Sequence, residues 1–343
     1  MSFPLPVIGI VGPTAAGKSD LALDIAEQLG GPDRVEIVGA DASQLYRGMD
    51  IGTAKLPLAQ RRGYVHHLID VLDVTQDASV AAYQRNARNA LADIAGRGKR
   101  AILVGGSGLY VRAVLDHIDF PGVDAQIRSA IEARAERIGT AALYAELVAK
   151  DPAAASAIGP ANVRRIVRAL EVIELTGRPF SANLPRQEYV VPAIQIGVDM
   201  DRADLDARIA RRTESMFELG FEDEVRAIVE AVTPSRTAWR AVGYREVQDL
   251  IGGARTRDET AASITAATRR LARKQMGWFG RDPRVHWIRA DRMGLAESPT
   301  GRGVITAALD IIAAGDAAPQ ETLTRNVGSV PSAMEPTRRT LGS

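Results

Sequence analysis

The sequence contains the stretch Gly12-Pro13-Thr14-Ala15-Ala16-Gly17-Lys18-Ser19, which fits the phosphate-loop pattern G-x-x-x-x-G-K-[ST] at every fixed position. An apolar run at 7–11 precedes it, and residues 19–29 carry leucine, isoleucine and alanine at helical spacing. A strand that feeds a glycine-rich turn into a helix points backbone N–H groups at an anion, and the helix N-terminus adds partial positive charge. We therefore predict an α/β protein with a di- or triphosphate site at residues 12–19, the phosphate loop.

Two side chains of the phosphate loop carry chemistry of their own. Lys18 can reach the terminal phosphates of a ligand, and the Ser19 hydroxyl can ligate Mg²⁺. The alternative is a chance glycine-rich turn, which the strand and helix on either side make a poor explanation. The pattern does not distinguish a diphosphate from a triphosphate.

Composition limits the classes of protein that the chain can belong to. Its 343 residues are enough for two domains or for one large domain with an insertion. There is no cysteine, which excludes disulfides and cysteine-based zinc sites. No run reaches the roughly 18 apolar residues of a membrane span, and the first residues lack a signal-peptide pattern. We expect a cytoplasmic protein whose net charge of +1 leaves nucleic-acid contacts to local patches.

Two further strands are expected to end near the phosphate loop. Residues 35–38 and 101–104 have the character of short strands, and they are followed by Asp41 and by Gly105-Gly106-Ser107. Because ligands of an open parallel sheet bind beyond the carboxyl ends of its strands, we expect both turns to face the phosphate loop. The Asp41 carboxylate would then hold Mg²⁺ through water or accept a proton, although an aspartate here is equally often a turn cap.

The chain changes character near residue 120. No strand-like run occurs in residues 124–176, whereas strand character returns at 193–198. The last residues are rich in Ala, Pro, Thr and Ser without periodicity. The predicted organisation is a discontinuous core of residues 1–119 and 190–315, an all-helical insertion of residues 120–189, and a disordered tail of residues 316–343.

Two basic stretches have the composition of nucleic-acid contacts. Three arginines lie along one side of a predicted helix in the insertion, and residues 269–289 hold seven Arg or Lys against one acidic residue. A solvated helix face explains the first stretch equally simply, and core packing is expected for at least two of the three interleaved aromatic residues of the second. The residues concerned are Arg164, Arg165 and Arg168 in the first stretch, and Trp278, Phe279 and Trp287 in the second.

A histidine pair, His66-His67, leads into residues 68–72, which are apolar except for Asp70. We predict a strand, or the approach to one, at 68–72. Without a set of cysteine or carboxylate ligands nearby, such a pair is more often packed or hydrogen-bonded than bound to a metal.

Taken in order, these motifs resemble those of the bacterial tRNA dimethylallyltransferases, also called tRNA isopentenyltransferases, over about residues 7–290. The segment Asp41-Ala42-Ser43-Gln44-Leu45-Tyr46-Arg47-Gly48-Met49-Asp50-Ile51-Gly52-Thr53-Ala54-Lys55 is the most specific of them. The others are the phosphate loop, Gly105 to Tyr110, Arg165 to Glu171, Gly220 to Val225, and Val242 to Arg245.

The resemblance implies a fold and a reaction. The fold would be a P-loop NTPase-like parallel-sheet core with a helical insertion that grips the anticodon stem-loop of tRNA. The enzyme would transfer a dimethylallyl group from dimethylallyl diphosphate to the exocyclic amine of the adenosine just 3′ of the anticodon, in tRNAs that read codons starting with U. The phosphate loop would then bind the diphosphate of the donor together with Mg²⁺, and ATP would not be the substrate. We expect the enzyme to be a monomer.

The resemblance also assigns roles to individual positions. Asp41 would be the general base, Lys18 and Arg212 would act on the diphosphate, Ser107 would line the reaction channel, and Ser19 would ligate Mg²⁺. The chain departs from the family at Ala42, where Ser is usual, and at Ser107, where Thr is usual. The residues expected to contact tRNA are Asp41, Ala42, Ser43, Gln44, Ser107, Arg128, Arg164, Arg165, Ile166, Val167 and Arg168.

Three other functions share parts of these patterns. A small-molecule kinase would use the same phosphate loop, and an adenylate isopentenyltransferase would use the same fold. The helical insertion and the arginine-rich segment that follows it disfavour an adenylate isopentenyltransferase, because binding of a free nucleotide needs neither. A non-catalytic RNA-binding module is disfavoured by the expected placement of Lys18 and Asp41 in one crevice.

Overall fold

A parallel sheet of six strands forms the centre of the protein in the computed structural model, which describes residues 3–183, 187–290, 299–319 and 323. The strands lie side by side in the order β3-β2-β4-β1-β5-β6. Every neighbouring pair is parallel. The strands are β1 (Val7–Val11), β2 (Val35–Gly39), β3 (His66–His67), β4 (Arg100–Gly105), β5 (Ala193–Asp199) and β6 (Val285–Arg289).

Helices connect these strands and cover the sheet. Their bounds are α1 (Lys18–Gln28), α2 (Val80–Gly96), α3 (Gly108–Leu115), α4 (Ala125–Lys150), α5 (Pro152–Ile158), α6 (Val163–Thr176), α7 (Arg202–Glu218), α8 (Phe221–Ala231), α9 (Tyr244–Ile251), α10 (Arg257–Phe279) and α11 (Pro299–Ala317). None of the described helices is both long and apolar enough to span a bilayer.

The sheet is apolar on both faces because its side chains alternate along each strand. In β1, Ile8 and Ile10 pack into a cluster with α1 and α11, whereas Val7 and Val11 pack into a second cluster with α2 and α3. Burial of both faces explains why the strands read as continuous apolar runs in the sequence.

The predicted α/β fold with a parallel sheet is confirmed, and the predicted strands at 7–11, 35–38, 101–104 and 193–198 are present. The strand expected at 68–72 is wrong. Only His66–His67 pair with β2, and Leu68 and Asp70 then take positive φ angles of 61° and 59°, which end the extended backbone.

Two elements were not expected from the sequence. Strand β6 and helix α11 lie at the carboxyl-terminal end of the described chain, with β6 pairing along β5. The predicted first residue of the disordered tail, 316, is therefore too early in the chain, because Asp316 and Ala317 belong to α11. Apart from residue 323, the rest of that tail, from 320 onward, lies outside the described residues.

The chain divides into two compact units. The larger contains residues up to Leu115 and from Gln187 onward, and the smaller is Asp116–Arg186. The predicted limits of the insertion, 120 and 189, differ from these by a few residues. At the second limit, Tyr189 is buried in the core of the larger unit and the Val190 N–H donates to Leu115 O at 2.7 Å.

The smaller unit consists of α4, α5 and α6 around its own apolar core. Gly139, with φ of 81°, interrupts the helical geometry of α4. The Asp151 carboxylate caps α5 through the Ala154 N–H, and the Asn162 side chain caps α6 through the Arg165 N–H. Gly177 ends α6 in the left-handed conformation.

Helix α11 is fixed to the sheet by a bidentate ion pair. The Arg100 guanidinium donates to both oxygens of Asp316 at 2.7 Å and to Pro6 O at 3.1 Å. The Arg100 side chain is 5% exposed and that of Asp316 is 29% exposed, so water screens the pair only in part.

Replacing Asp316 by Asn should lower the free energy of unfolding by about 1–2 kcal/mol, because it leaves the buried Arg100 guanidinium without its counter-charge. Urea unfolding measures this difference. Asp310→Asn is the matched control, since Asp310 is an exposed residue of the same helix. Equal losses in the two variants would contradict a specific role for the Arg100–Asp316 pair.

Candidate active site

The carboxyl ends of β1, β2 and β4 meet at one edge of the sheet. Strand β1 leads into the phosphate loop, β2 leads to Asp41, and β4 leads to Ser107. Strand β1 lies between β4 and β5, where the strand order reverses direction along the chain, and such switch points are where open α/β sheets bind ligands. The topology therefore brings the three sequence-predicted turns to one crevice.

The phosphate loop has a backbone shape that requires glycine at Gly12. Its φ is 141°, and a Cβ there would lie 2.7 Å from Val198 O, which is closer than real Cβ contacts. Gly17 begins α1 with φ of 88°, and Ala15 takes φ of 64°. The Lys18 ammonium folds back over this loop and donates to Pro13 O at 2.7 Å.

Two cations lie beside the loop with one carboxylate among them. The Arg212 guanidinium, which projects from α7, donates to Thr14 Oγ1 at 3.3 Å. Burial lowers the pKa of Lys18 to about 8; the nearby Asp41 carboxylate opposes this change, and the Arg212 charge adds to it. Burial also lowers the pKa of Arg212, again opposed by Asp41. Positive charge is thus concentrated where a phosphate would bind.

Asp41 faces the interior of this crevice. Its Oδ1 accepts a hydrogen bond from the Ser43 N–H at 2.9 Å. Burial raises the pKa of Tyr110 to about 12 and also raises the pKa of Tyr83, and the nearby Asp41 charge adds to both changes. No hydrogen bond to Oδ2 occurs among the described residues, so this oxygen can accept a proton or a hydrogen bond from a ligand.

The residues after Asp41 differ in how free their side chains are. Ala42 packs against the apolar cluster beneath α2 and α3. The Gln44 amide donates to Thr53 O at 3.1 Å and to Ala54 O at 3.4 Å, so this group is engaged by a loop of the protein itself. Ser43 is half-buried. Of the predicted base contacts, Asp41 and Ser43 therefore have the least occupied side chains.

The turn at the end of β4 is tightly packed. A Cβ at Gly105 would lie 2.2 Å from Ala40 O, and one at Gly106 would lie 2.4 Å from the Gln275 Nε2. The Ser107 carbonyl accepts the Val111 N–H at 3.0 Å and so opens α3. The backbone geometry fixes half-buried Ser107 next to the carboxyl end of β2, which carries Asp41.

Sequence reasoning missed Gln275, a buried residue of α10. Its Oε1 accepts the Thr14 N–H at 2.7 Å, so α10 supports the phosphate loop directly. It also missed Glu224 on α8, which binds the loop after Gln44. A glutamine on the buried side of a helix was the available signal for Gln275. Glu224 lies within the Gly220–Val225 motif of the resemblance, but that motif alone assigned no role to its carboxylate.

In the smaller unit, two of the predicted tRNA-contacting arginines serve a buried carboxylate. The Glu171 side chain is fully buried and accepts from Arg128 at 2.6 Å and from Arg168 at 2.9 Å. Burial alone would raise the pKa of Glu171, but these arginines outweigh it and lower that pKa. Arg168 also donates to Pro121 O and Gly122 O.

The other predicted contacts of this unit fall into two groups. Ile166 and Val167 are buried in its core, so the expectation that their side chains contact tRNA is corrected. Arg164 and Arg165 are exposed at the start of α6, and neither has an ion pair within the described part of the chain. An apolar residue between charged ones on a helix points inward, which accounts for the difference.

The basic stretch 269–289 of the larger unit contributes to both core and surface. Phe279 is buried and Trp287 packs at the edge of the same cluster, as expected for two of the three aromatic residues. Trp278 is 36% exposed and lies against Gly108, where a Cβ would be 1.8 Å from the indole.

The chemistry of the donors suits a magnesium ion that is bound mainly through a diphosphate. The Ser19 hydroxyl is exposed at the first turn of α1, where a phosphate-bound ion would lie. No group of three or more His, Cys, Asp or Glu side chains suited to a metal is found among the residues that the structure describes.

Comparison with known proteins agrees with this geometry. The family model described as IPP transferase matches residues 44–282. The chain is 54% identical over 293 residues to a tRNA dimethylallyltransferase of Bifidobacterium animalis subsp. lactis, covering 85% of each chain. It is 52% identical over 307 residues to the tRNA dimethylallyltransferase of a Nocardioides strain, covering 89% of this chain and 97% of the relative.

Solved structures show the same similarity. The crystal structure of a tRNA isopentenylpyrophosphate transferase from Bacillus halodurans is 34% identical, with a TM-score of 0.66, and the match covers 90% of this chain and 97% of that one. A eukaryotic dimethylallyltransferase acting on tRNA, at 23% identity and a TM-score of 0.77, shares the fold.

The affinity of the crevice for inorganic diphosphate should fall as the pH rises above about 8. The ligand binds the charged form of Lys18 more tightly, and this form is lost above the lowered pKa. The affinity for diphosphate is expected to fall by at most about tenfold per pH unit. Calorimetric titration between pH 6.5 and 9.5 measures the effect.

The control for this experiment is Lys18→Arg, which keeps its charge throughout the range. Ionisation of the diphosphate affects both proteins equally, so the ratio of their affinities isolates Lys18. A ratio that stays constant from pH 6.5 to 9.5 would show that Lys18 does not titrate in this range.

Proposed function

Because the chain belongs to the IPP transferase family, we propose that it transfers the dimethylallyl group of dimethylallyl diphosphate to an adenosine of tRNA. The acceptor is the exocyclic amine of the adenosine just 3′ of the anticodon, in tRNAs that read codons starting with U. The observation that carries the proposal is the Asp41 carboxylate beside Lys18 and Arg212 at the phosphate loop. We further propose that the enzyme works as a monomer in the cytoplasm.

The cations beside the phosphate loop suit a diphosphate leaving group. As the bond between the allylic carbon and the diphosphate oxygen breaks, negative charge builds up on that oxygen. The Lys18 ammonium, the Arg212 guanidinium and the loop N–H groups stabilise it. Each such preorganised donor typically contributes about 3–4 kcal/mol to transition-state stabilisation. The allylic carbon tolerates the positive charge left behind, which helps a weak nucleophile to attack.

Asp41 suits the acceptor half of the reaction. The exocyclic amine of adenine is a poor nucleophile because its lone pair is delocalised into the ring. As the new carbon–nitrogen bond forms, the amine becomes cationic, and Asp41 Oδ2 accepts its proton. A general base of this kind typically contributes 10²- to 10⁴-fold. The Ser43 N–H holds the other oxygen and so keeps the carboxylate oriented.

Mg²⁺ would supply further charge neutralisation on the diphosphate. The Ser19 hydroxyl is the protein ligand we propose for it. The steps assigned above to Lys18, Arg212 and Asp41 concern the protein's own groups.

An adenosine in an anticodon loop suits this crevice better than one in a duplex. The base must leave its stack to reach Asp41, which costs a few kcal/mol and least for an unpaired nucleotide. We propose that the smaller unit holds the stem-loop through Arg164 and Arg165, its exposed basic residues at the start of α6. Arg128 and Arg168 support that helix through Glu171.

Incubation of the protein with dimethylallyl diphosphate, Mg²⁺ and unmodified tRNA should yield isopentenyladenosine, detected by nucleoside analysis. Asp41→Asn should lower kcat at least a hundredfold, because the amide cannot accept the proton. The affinity for inorganic diphosphate should survive in this variant. Absence of isopentenyladenosine with several tRNAs, or consumption of ATP instead of dimethylallyl diphosphate, would refute the proposed function.

Changing Arg164 and Arg165 together to Ala should weaken tRNA binding about tenfold and reduce the salt dependence of binding, since two phosphate contacts are lost. Filter binding at several salt concentrations measures both quantities. The control is the double variant Arg226→Ala and Arg255→Ala, which removes the same charge from a half-buried and an exposed position of the larger unit. Equal weakening in both proteins would show a general charge effect only.

A further inference from the structure

A carboxylate outside the crevice binds the loop that follows Gln44. The Oε2 of Glu224, on α8, accepts the Asp50 N–H at 2.8 Å and the Ile51 N–H at 2.7 Å. Its Oε1 accepts the Gly52 N–H at 3.2 Å and the Tyr244 O–H at 2.7 Å. Four donors from two separate parts of the chain therefore converge on one side chain.

This contact has the form of an anion-binding nest filled by the protein's own carboxylate. Three successive backbone N–H groups point to Glu224, and bonds to a charged acceptor are stronger than neutral ones. Gly52 allows the close approach, since a Cβ there would lie 2.3 Å from the Phe221 ring and 2.7 Å from the Tyr244 ring. The Gly48–Lys55 loop is consequently fixed against α8 and α9.

The same loop holds the residues around Asp41. The Gln44 amide donates to Thr53 O and Ala54 O, as described above. The buried Lys55 ammonium donates to Asp50 Oδ1 at 2.7 Å, to Asp70 Oδ1 and to Tyr46 O. A continuous series of hydrogen bonds thus runs from Glu224 through the Gly48–Lys55 loop to Gln44, at the end of the acceptor segment, Asp41–Gln44.

Glu224 itself is not suited to proton transfer. Its two oxygens accept four hydrogen bonds, and Tyr244, which donates one of them, is fully buried. A carboxylate in this state orients its donors. Its position in the chain, 174 residues after Asp50, also means that it ties two distant segments together.

We propose that Glu224 is a positioning residue for prenyl transfer, acting through the Gly48–Lys55 loop to hold the acceptor segment in register with the phosphate loop. This inference rests on the proposed function, because the acceptor segment matters only if a base is bound there. A displacement of about 1 Å in such a segment can lower the rate about a hundredfold without any loss of catalytic groups.

The test compares Glu224→Gln with Glu222→Gln in the prenyl-transfer assay. The amide of the first variant presents hydrogen atoms to backbone N–H groups, so the nest loses an acceptor. Glu222 lies on the same helix, is half-buried, and pairs only with Arg226 among the described residues. We expect Glu224→Gln to lower kcat ten- to a hundredfold while the KM for dimethylallyl diphosphate and the affinity for inorganic diphosphate stay within twofold. Glu222→Gln should match the parent protein.

Tyr244→Phe is the second variant, in case Glu224→Gln does not fold. It keeps the aromatic ring against Gly52 and removes one donor to Glu224, and we expect a two- to fivefold lower kcat with unchanged donor KM. An unchanged kcat in folded Glu224→Gln and Tyr244→Phe would overturn the inference while the proposed function stands. Equal losses of kcat and diphosphate affinity would also overturn it, because they indicate general disruption. A parent protein without activity would refute the proposed function and the inference together.

Discussion

The crevice depends on how closely the backbone approaches itself at the carboxyl ends of the central strands. Gly105 leaves no room for a Cβ beside Ala40 O, and Gly12 leaves none beside Val198 O. The Ala40 N–H donates to Val104 O at 2.7 Å across the same edge. A side chain at either glycine would push apart the turns that carry Lys18 and Asp41. The two glycines therefore set the distance between the phosphate loop and Asp41.

Close packing at this edge has an electrostatic consequence. Lys18 and Arg212 are desolvated together beside the phosphate loop, and Asp41 is the carboxylate that opposes the lowering of both pKa values. Like charges held at partial burial destabilise a folded protein unless an anion binds between them. The crevice is thus organised for a strongly anionic ligand. One oxygen of Asp41 accepts the Ser43 N–H, and no hydrogen bond to the other oxygen occurs among the described residues.

The sequence was sufficient where local pattern decides the structure. Short stretches rich in apolar residues predicted β1, β2, β4 and β5, because both faces of the sheet are buried. The sequence was insufficient where a residue far away in the chain determines what a side chain contacts. The family resemblance assigns Arg128 and Arg168 to tRNA binding, yet both side chains donate hydrogen bonds to the buried Glu171. Gln275 reaches Thr14 across 261 residues, and no periodicity encodes such a pairing. Strand β3 is two residues long, which is too short for alternation to appear.

The two tertiary ties to the crevice come from the same late part of the chain. Gln275 on α10 supports the phosphate loop, and Glu224 on α8 fixes the loop next to the acceptor segment. Both follow the insertion in sequence, so the N-terminal loops reach their final arrangement only once residues beyond 187 have packed. The larger unit closes directly across the insertion, since Val190 bonds to Leu115 and the Val7 N–H donates to Pro192 O at 2.8 Å. An insertion that leaves and returns at hydrogen-bonded neighbours can vary in its contacts without disturbing the distance between the phosphate loop and Asp41.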